Sequence, residues 1–167
     1  MFAGFGHNSW AFVRTHPNSA PESGPGAEHG VPTSLWSGLP MSTSSALTYG
    51  IQVDVQSQFL SEQSSPGQWL FAYEITIRNQ SETTVKLVSR FWEITNANGR
   101  IEHVRGPGVV GQQPTLRPGE GFQYVSGCPL DTPFGSMKGT YQMTGESGDS
   151  FEVTIAEFAL VDPASLN

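Results

Sequence analysis

Alternating hydrophobic and polar positions run through the chain from residue 47 onward and predict a series of β-strands. The clearest run spans residues 69–78, where five large apolar residues (Trp69, Phe71, Tyr73, Ile75 and Ile77) alternate with Leu70, Ala72, Glu74, Thr76 and Arg78. A period of two places successive side chains on opposite faces, as in a half-buried strand. Similar runs predict strands at 47–56 (with Tyr49 on the apolar face), 83–87, 89–95, 100–105, 122–126, 139–144, 151–155 and 158–160.

Turn signals separate these runs. Asn96-Ala97-Asn98-Gly99 predicts a hairpin turn, with positive φ at Asn98 and Gly99. Short strands with a turn every 8–12 residues, and no convincing amphipathic helix, are typical of an antiparallel sandwich or barrel. Spacing alone leaves both architectures open, and we favour the all-β sandwich.

The first 46 residues have a different character. They are rich in Ser, Pro and Gly, lack a sustained period, and offer too little apolar surface to offset the cost of ordering the chain. We therefore predict a disordered N-terminal tail over 1–46, one β domain over 47–163 and a short C-terminal tail over 164–167. Met41 is a second candidate start of translation, so whether residues 1–40 belong to the natural chain stays open.

Composition narrows the function classes. The net charge of -7 disfavours general binding to nucleic acid or to an anionic membrane. A lone cysteine, Cys128, cannot form an internal disulfide. No apolar run approaches the roughly 18 residues of a membrane span, and the N-terminus lacks the pattern of a signal peptide. These features predict a cytoplasmic protein.

Glycine and proline are densest between residues 105 and 127. Gly106-x-Gly108-x-x-Gly111 has the spacing of a dinucleotide-binding fingerprint, which requires a helix beginning at the third glycine. Pro114 and Pro118 would fall inside that helix, so the sequence argues against a dinucleotide fold. Two interpretations remain: a structural loop of specified path, and a bent loop whose backbone N–H groups hold an anion.

Residues suited to catalysis or metal binding are sparse in the predicted domain. His103 is its sole histidine and Cys128 its sole thiol, which is too few for a zinc site. Nothing in the spacing fixes Ser126, Cys128 and His103 as a nucleophilic triad, and the carboxylates are scattered (Glu74, Glu93, Asp131, Glu157). We predict no catalytic residues, no metal and no cofactor.

Arg90, Trp92 and Ile94 fall on one face of a predicted strand. Arg90 stacked on Trp92 would contribute about 0.5–1 kcal/mol if exposed. Trp69 and Trp92 are predicted as core anchors between sheets, or else as part of an exposed aromatic and basic patch.

Taken together, several motifs resemble the ApaG family. They are Gly50-Ile51-Gln52-Val53, Ser89-Arg90-Phe91-Trp92-Glu93-Ile94-Thr95, Gly106-Pro107-Gly108-Val109-Val110-Gly111-Gln112-Gln113-Pro114, the Pro118-Gly119-Glu120 turn with Phe122, Tyr124 and Ser126-Gly127, the run from Pro129 to Met143, and the closing Phe151, Val153 and Ile155. The resemblance spans about residues 47–163. Asn96 stands where Asp is common, and Ala156 stands where Pro is common.

That resemblance implies an immunoglobulin-like, fibronectin type III-like sandwich without established catalytic activity. Similar domains occur as modules in eukaryotic F-box and polymerase-interacting proteins, which favours a binding role. The bacterial family is also associated with cobalt and magnesium tolerance, a link that we expect to be indirect. Nucleotide or pyrophosphate binding has been suggested for the glycine motif.

Two hypotheses follow. The first is a non-catalytic module that binds a protein partner through the glycine motif and its neighbours: Arg90, Trp92, Arg105, Gly106, Gly108, Gly111, Gln112, Gln113 and Pro114. The second is a binder of a phosphate-containing ligand, or a weak phosphohydrolase, that uses the same loop as an anion nest beside Arg90 and Arg105. Both exclude nucleic acid and membrane as partners. The sequence identifies neither the partner nor the oligomeric state.

Overall fold

The computed structural model describes residues 12–16 and 42–166, and within them the chain forms ten β-strands and two short 3-10 helices. The 3-10 helices span Ser61–Gln63 and Pro163–Leu166. The strands are β1 Phe12–His16, β2 Ser42–Thr48, β3 Ile51–Phe59, β4 Trp69–Asn79, β5 Val85–Asn96, β6 Ile101–Pro107, β7 Thr115–Leu116, β8 Gly121–Leu130, β9 Phe134–Gly145 and β10 Ser150–Val161.

The strands form two antiparallel sheets. One has the order β1-β8-β4-β3-β2 and the other β10-β9-β5-β6, with β7 paired to the start of β5. The prediction of an all-β antiparallel sandwich is confirmed, and of the two architectures left open by strand spacing the structure has the sandwich.

The core lies between the sheets and is built from the inward half of each alternating pattern. Phe71, Ile75 and Ile77 of β4 are fully buried, as are Ile51 and Val53 of β3. Burial of each such side chain stabilises the fold by about 1.5–3 kcal/mol. On one side of the sandwich β10 lies against β2 and β3. On the other side β6 is the last strand of its sheet, and β8 has only β1 beyond it among the described strands.

The strand predicted over residues 47–56 is wrong at Tyr49. Tyr49 and Gly50 form a two-residue turn between β2 and β3, with φ of 49° and 77°, and the Tyr49 side chain is 76% exposed. A turn with two positive φ values joins antiparallel strands with the correct twist. The aromatic ring continued the apolar alternation and hid the turn signal that Gly50 supplies.

Strand β1 lies within residues 1–46, the segment predicted as a disordered tail, and strand β2 begins within it, so residues 12–16 and 42–46 are strand where the prediction had a tail. β1 pairs with β8 in register, Phe12 opposite Val125 and His16 opposite Gly121. β2 begins at Ser42 and pairs with β3. The other residues of the predicted tail, 1–11 and 17–41, lie outside the described residues.

Hydroxyl groups, not apolar side chains, bind β2 to the opposite sheet. Ser44 Oγ donates to the carbonyl of Ala156 at 2.8 Å, and Ser42 Oγ accepts from the amide of Ala159 at 2.9 Å. β10 has a bulge between Ile155 and Phe158. Ala156 lies in this bulge, which leaves backbone groups unpaired, and Ala159 lies just beyond it on the same strand, which is the edge of its sheet. The two serines therefore satisfy backbone polar groups of β10 that its own sheet leaves unpaired. Hydrophobic periodicity cannot reveal such a strand.

Two pairs of predicted strands are single long strands. Residues 83–87 and 89–95 belong to β5 from Val85 onward, with a register shift between Leu87 and Ser89. Residues 151–155 and 158–160 belong to β10, which carries the bulge described above. A bulge shifts the alternation by one residue and so resembles a boundary between strands.

The ends of two other segments differ in detail from the prediction. The hairpin at residues 96–99 is confirmed, but Gly99 has positive φ (81°) and Asn98 does not. Asn96 Oδ1 accepts from the amides of Asn98 and Arg100 at 3.0 and 2.9 Å, and so closes the turn. The predicted C-terminal tail includes a 3-10 helix, where the Asp162 carboxylate accepts from the amide of Ala164 at 3.0 Å.

Candidate functional site

Residues 106–114, here called the glycine loop, form a miniature hairpin. Val109 and Gln112 exchange both backbone hydrogen bonds, at 2.8 and 2.9 Å. Between them Val110 and Gly111 have φ of 42° and 78°. A β-branched residue with positive φ is an outlier that costs on the order of 1–3 kcal/mol and persists only where its surroundings enforce it. Here the enforcement comes from Val109, which is fully buried, and from Val110, which packs against the core.

Gly108 is required by both its conformation and its surroundings. Its φ is 57°, and a Cβ at this position would lie 2.1 Å from the carbonyl oxygen of Gln112. Gly111 has a similar φ, but a Cβ there would meet nothing within 4 Å. The close approach at Gly108 permits the hydrogen bonds between Val109 and Gln112.

The bulge in β5 anchors the glycine loop. The carbonyl of Val88 accepts from the amide of Gly108 at 2.8 Å and from the side-chain amide of Gln113 at 2.9 Å. One residue earlier, the amide of Leu87 donates to the carbonyl of Pro114 at 3.0 Å. The loop is therefore bonded to β5 at both of its ends.

Arg90 clamps the loop from within the sandwich. It occupies the inward face of β5 with Trp92 and Ile94, as predicted, and is half-buried. Its Nη1 donates to the carbonyls of Pro107 at 3.1 Å and Gly108 at 2.9 Å. A Cβ on Gly106 would lie 2.9 Å from the same nitrogen, so that glycine leaves room for the guanidinium group.

A cavity of about 530 Å³ opens beneath the glycine loop, between the two sheets. Its lining includes Trp92, Met137, Tyr124 and, from β6, Val104. Arg90, Val109 and Val110 also line it. The loop thus covers part of an inter-sheet space of the size that small ligands occupy.

Three buried tyrosines bring hydroxyl groups into the core near this cavity. Tyr124 and Tyr141 share a hydrogen bond of 2.5 Å between their hydroxyl oxygens. Burial raises the pKa of Tyr73 to about 12, although a hydrogen bond with Ser126 and the charge of Arg90 oppose the shift. Burial likewise raises the pKa of Tyr124 and of Tyr141. These phenols stay protonated at neutral pH and act as hydrogen-bonding groups within an apolar core.

The two residues considered as catalytic candidates, His103 and Cys128, lie on different sides of the sheets, one on the outer face and one in the core. His103 is on the outer face, 5.3 Å from the ring of Phe91 and 3.7 Å from the carboxylate of Glu93. Cys128 faces the core, and burial raises its pKa to about 12. The structure does not bring His103 and Cys128 together. Among the described residues, no group of three His, Cys, Asp or Glu side chains is placed to hold a metal ion.

The other predicted site residues divide between surface and core. Trp92 is buried and contacts Tyr73 and Phe158 edge-on, so it is a core anchor and not part of an exposed patch. The arginine–aromatic contact found within residues 42–166 is that of Arg105 with Phe91, at 4.3 Å on the outer face. At the tip of the glycine loop Gly111, Gln112 and Gln113 are exposed, while Gly106 and Pro114 are half-buried.

Sequence reasoning missed the inward-facing tyrosines and Val104 as parts of a cavity. The available signal was the placing of Tyr73, Tyr124 and Tyr141 at apolar positions of three alternating strands. Side chains with polar tips at core positions need partners nearby, which predicts a shared buried network. The predicted absence of a helix at Gly111 is confirmed, because the chain there continues through the hairpin into β7. In residues 12–16 and 42–166 we also find no helix of sufficient length and apolar character to cross a membrane.

Comparison with known proteins gives concordant matches. The profile of the ApaG domain matches residues 60–145. A protein named ApaG from Anaeromyxobacter dehalogenans is 55% identical over 124 residues, 74% of this chain and 99% of the relative. One from Brucella anthropi is 55% identical over 120 residues, 71% of this chain and 92% of the relative.

The fold comparison agrees. A crystal structure described as the putative ApaA protein from Bordetella pertussis superimposes with a TM-score of 0.67 at 50% identity. It covers 70% of this chain and 97% of that protein.

Proposed function

This chain belongs to the ApaG family, and from that premise and the geometry of the glycine loop we propose that it is a non-catalytic module that binds a protein partner. The observation that carries the proposal is the bonding of the loop. The amides of Gly108, Val109 and Gln112 all donate to backbone carbonyls, and Arg90 adds two further bonds. A stiff loop on a sandwich presents a surface that loses little conformational entropy on binding.

The proposed contact surface consists of the loop tip, Gly111 to Gln113, and the neighbouring Arg105. These residues are exposed, and Arg105 is held in place over Phe91. The side-chain amide of Gln113, bonded to Val88, and the guanidinium group of Arg105 are held in position, which suits recognition of polar groups on a partner because few rotamers must be frozen on association. The module acts in the cytoplasm, and its family's association with cobalt and magnesium tolerance runs through the partner.

The same bonds weigh against the anion-nest alternative. A nest requires successive backbone N–H groups that converge on one point and are free to bind an anion. In the glycine loop three amides already have carbonyl acceptors. An anion would have to break those bonds, so pyrophosphate binding or phosphohydrolysis at the loop ranks second.

Site-specific photo-crosslinking in the natural host tests the proposal. We expect a photo-reactive residue at Gln112 to give one dominant crosslinked product. The matched control is Ser147, exposed in the β9–β10 turn at a comparable hairpin tip. It should give none of that product. In the variant with the photo-reactive residue at position 112, the further substitution Gly108→Ala should remove the product, because it disrupts the conformation of the glycine loop. If positions 112 and 147 give the same crosslinked products, or if position 112 gives none, the hypothesis that a protein partner binds at the glycine loop is contradicted.

A further inference from the structure

The charge of Arg90 is the unusual feature of the cavity beneath the glycine loop. The ion pairs among residues 42–166 involve Arg100, His103 and Lys138, and none involves Arg90. Within those residues Nη1 has the two loop carbonyls as acceptors, while Nε and Nη2 donate to no protein group. A half-buried cation without a carboxylate is costly, because carbonyl dipoles replace only part of its hydration. The site therefore has capacity for an anion.

The residues that line the cavity together with Arg90 indicate which kind of anion would fit. Trp92, Ile94, Val104 and Met137 contribute apolar and aromatic side chains to the lining, and the hydroxyl group of Ser126 is already hydrogen-bonded to Tyr73. Asp and Glu are absent from the lining formed by the described residues. One cation beside a wall that is apolar on one part suits a small ligand with a single anionic group on an apolar body.

The field of Arg90 reaches into this space. Burial is the main cause of the raised pKa of Tyr73, and the positive charge of Arg90 opposes it. The same opposing influence acts on Tyr124 and Tyr141. The negative charge of Glu102 acts on Cys128, another lining residue, so the positive influence is confined to the part of the cavity around Arg90 and the tyrosines. Positive charge there favours anions over neutral ligands of the same shape.

We propose that the inter-sheet cavity is a binding site for a small organic carboxylate with a flat apolar body. The carboxylate accepts hydrogen bonds from the unused nitrogens of Arg90, and the body lies against the apolar wall that includes Trp92 and Val104. This site is distinct from the outer tip of the glycine loop. The proposed cavity ligand does not depend on the proposed protein partner, so an experiment can reject one of these two proposals and leave the other standing.

The experiment is an NMR titration of the full chain with matched probes. The probes are benzoate, phenylacetate and indole-3-acetate, and each is compared with its neutral amide. Acetate and pyrophosphate serve as further controls, because they are anions without an apolar body. We expect at least one aromatic carboxylate to shift resonances of cavity residues and to bind at least about tenfold more tightly than its amide, because a charge-assisted bond to Arg90 is lost in the amide. Acetate and pyrophosphate should bind more weakly.

Three variants locate the effect. Arg90→Met should weaken binding of the carboxylate at least about tenfold, while Arg117→Met, which removes the same charge from an exposed position outside the cavity lining, should leave its affinity unchanged. Since Arg90 also holds the loop, Val104→Phe provides a second route: it fills the cavity, keeps Arg90, and should abolish binding. The amide spectrum of each variant reports whether its fold is retained.

Several outcomes would overturn the proposal: no binding of any aromatic carboxylate at about 10 mM, equal binding of acid and amide, or binding unaffected by Val104→Phe. Tighter binding of pyrophosphate than of the aromatic acids, with shifts confined to the glycine loop amides, would also overturn it and would favour the anion nest.

Discussion

Raising the pH from 9 to 11 is expected to unfold the protein in a steep cooperative transition. Burial raises the pKa of Cys128 from 9.0 to about 12 and of Tyr73 from 10.0 to about 12, and it also raises the pKa of Tyr124 and Tyr141. The folded state therefore keeps protons that the unfolded chain releases. Their contribution to stability is fully present below about pH 9 and is lost as the pH rises toward 12.

The size of the loss follows from linkage. Each group lowers the free energy of unfolding by about 1.4 kcal/mol per pH unit once the unfolded state has deprotonated. Four groups together remove on the order of 5 kcal/mol or more by pH 11, which is comparable with the whole stability of an ordinary domain. Circular dichroism and phenolate absorbance against pH should change together for the buried tyrosines.

Substitution Tyr73→Phe provides the control for this transition. It removes one ionisable phenol and should make the pH dependence shallower by about 1.4 kcal/mol per unit. If all of the phenols ionise smoothly near pH 10 while the fold persists, the buried tyrosine network is not as described.

The variant Gly108→Ala is expected to lose about 2–3 kcal/mol of stability, because it combines a strained φ with a Cβ 2.1 Å from the carbonyl of Gln112. The methyl group forces the hydrogen bonds between Val109 and Gln112 apart. Urea unfolding should show a lower midpoint with an unchanged m-value.

Gly111→Ala is the matched control. Its φ of 78° is also left-handed, but a Cβ there meets nothing within 4 Å. It should therefore cost about 1 kcal/mol, the strain alone. Equal losses for the two variants would mean that the contact between Gly108 and Gln112 does not shape the loop.

Much of the sandwich was predictable because hydrophobic and polar residues alternate along most of its strands. The inward positions of β4 and the common face of Arg90, Trp92 and Ile94 follow directly from a period of two. The same period failed at the bulges of β5 and β10, since one extra residue inverts the alternation and mimics a strand end. It also missed β2, whose serines contact the core side through hydrogen bonds.

The existence of the glycine loop could be predicted from the sequence, but its path and its hydrogen bonds could not. Clustered glycine and proline indicated a specified path, yet its bonds join residues distant in sequence: Arg90 to Gly108, and Gln113 to Val88. Such contacts depend on how β5 and β6 pair. The sequence suggested that Arg90 could stack on Trp92, but it could not show that the guanidinium group of Arg90 donates to the carbonyls of Pro107 and Gly108.

Amide hydrogen exchange of the glycine loop tests the stiff-loop account most directly. The account predicts that the amides of Gly108, Val109 and Gln112 exchange as slowly as that of Leu87 in β5, because opening them requires separating the loop from the core. The amide of Gly148, bonded at 3.0 Å in a surface turn, should exchange much faster. If the three loop amides exchange as fast as Gly148, the loop opens on its own and is not the fixed surface from which binding was inferred.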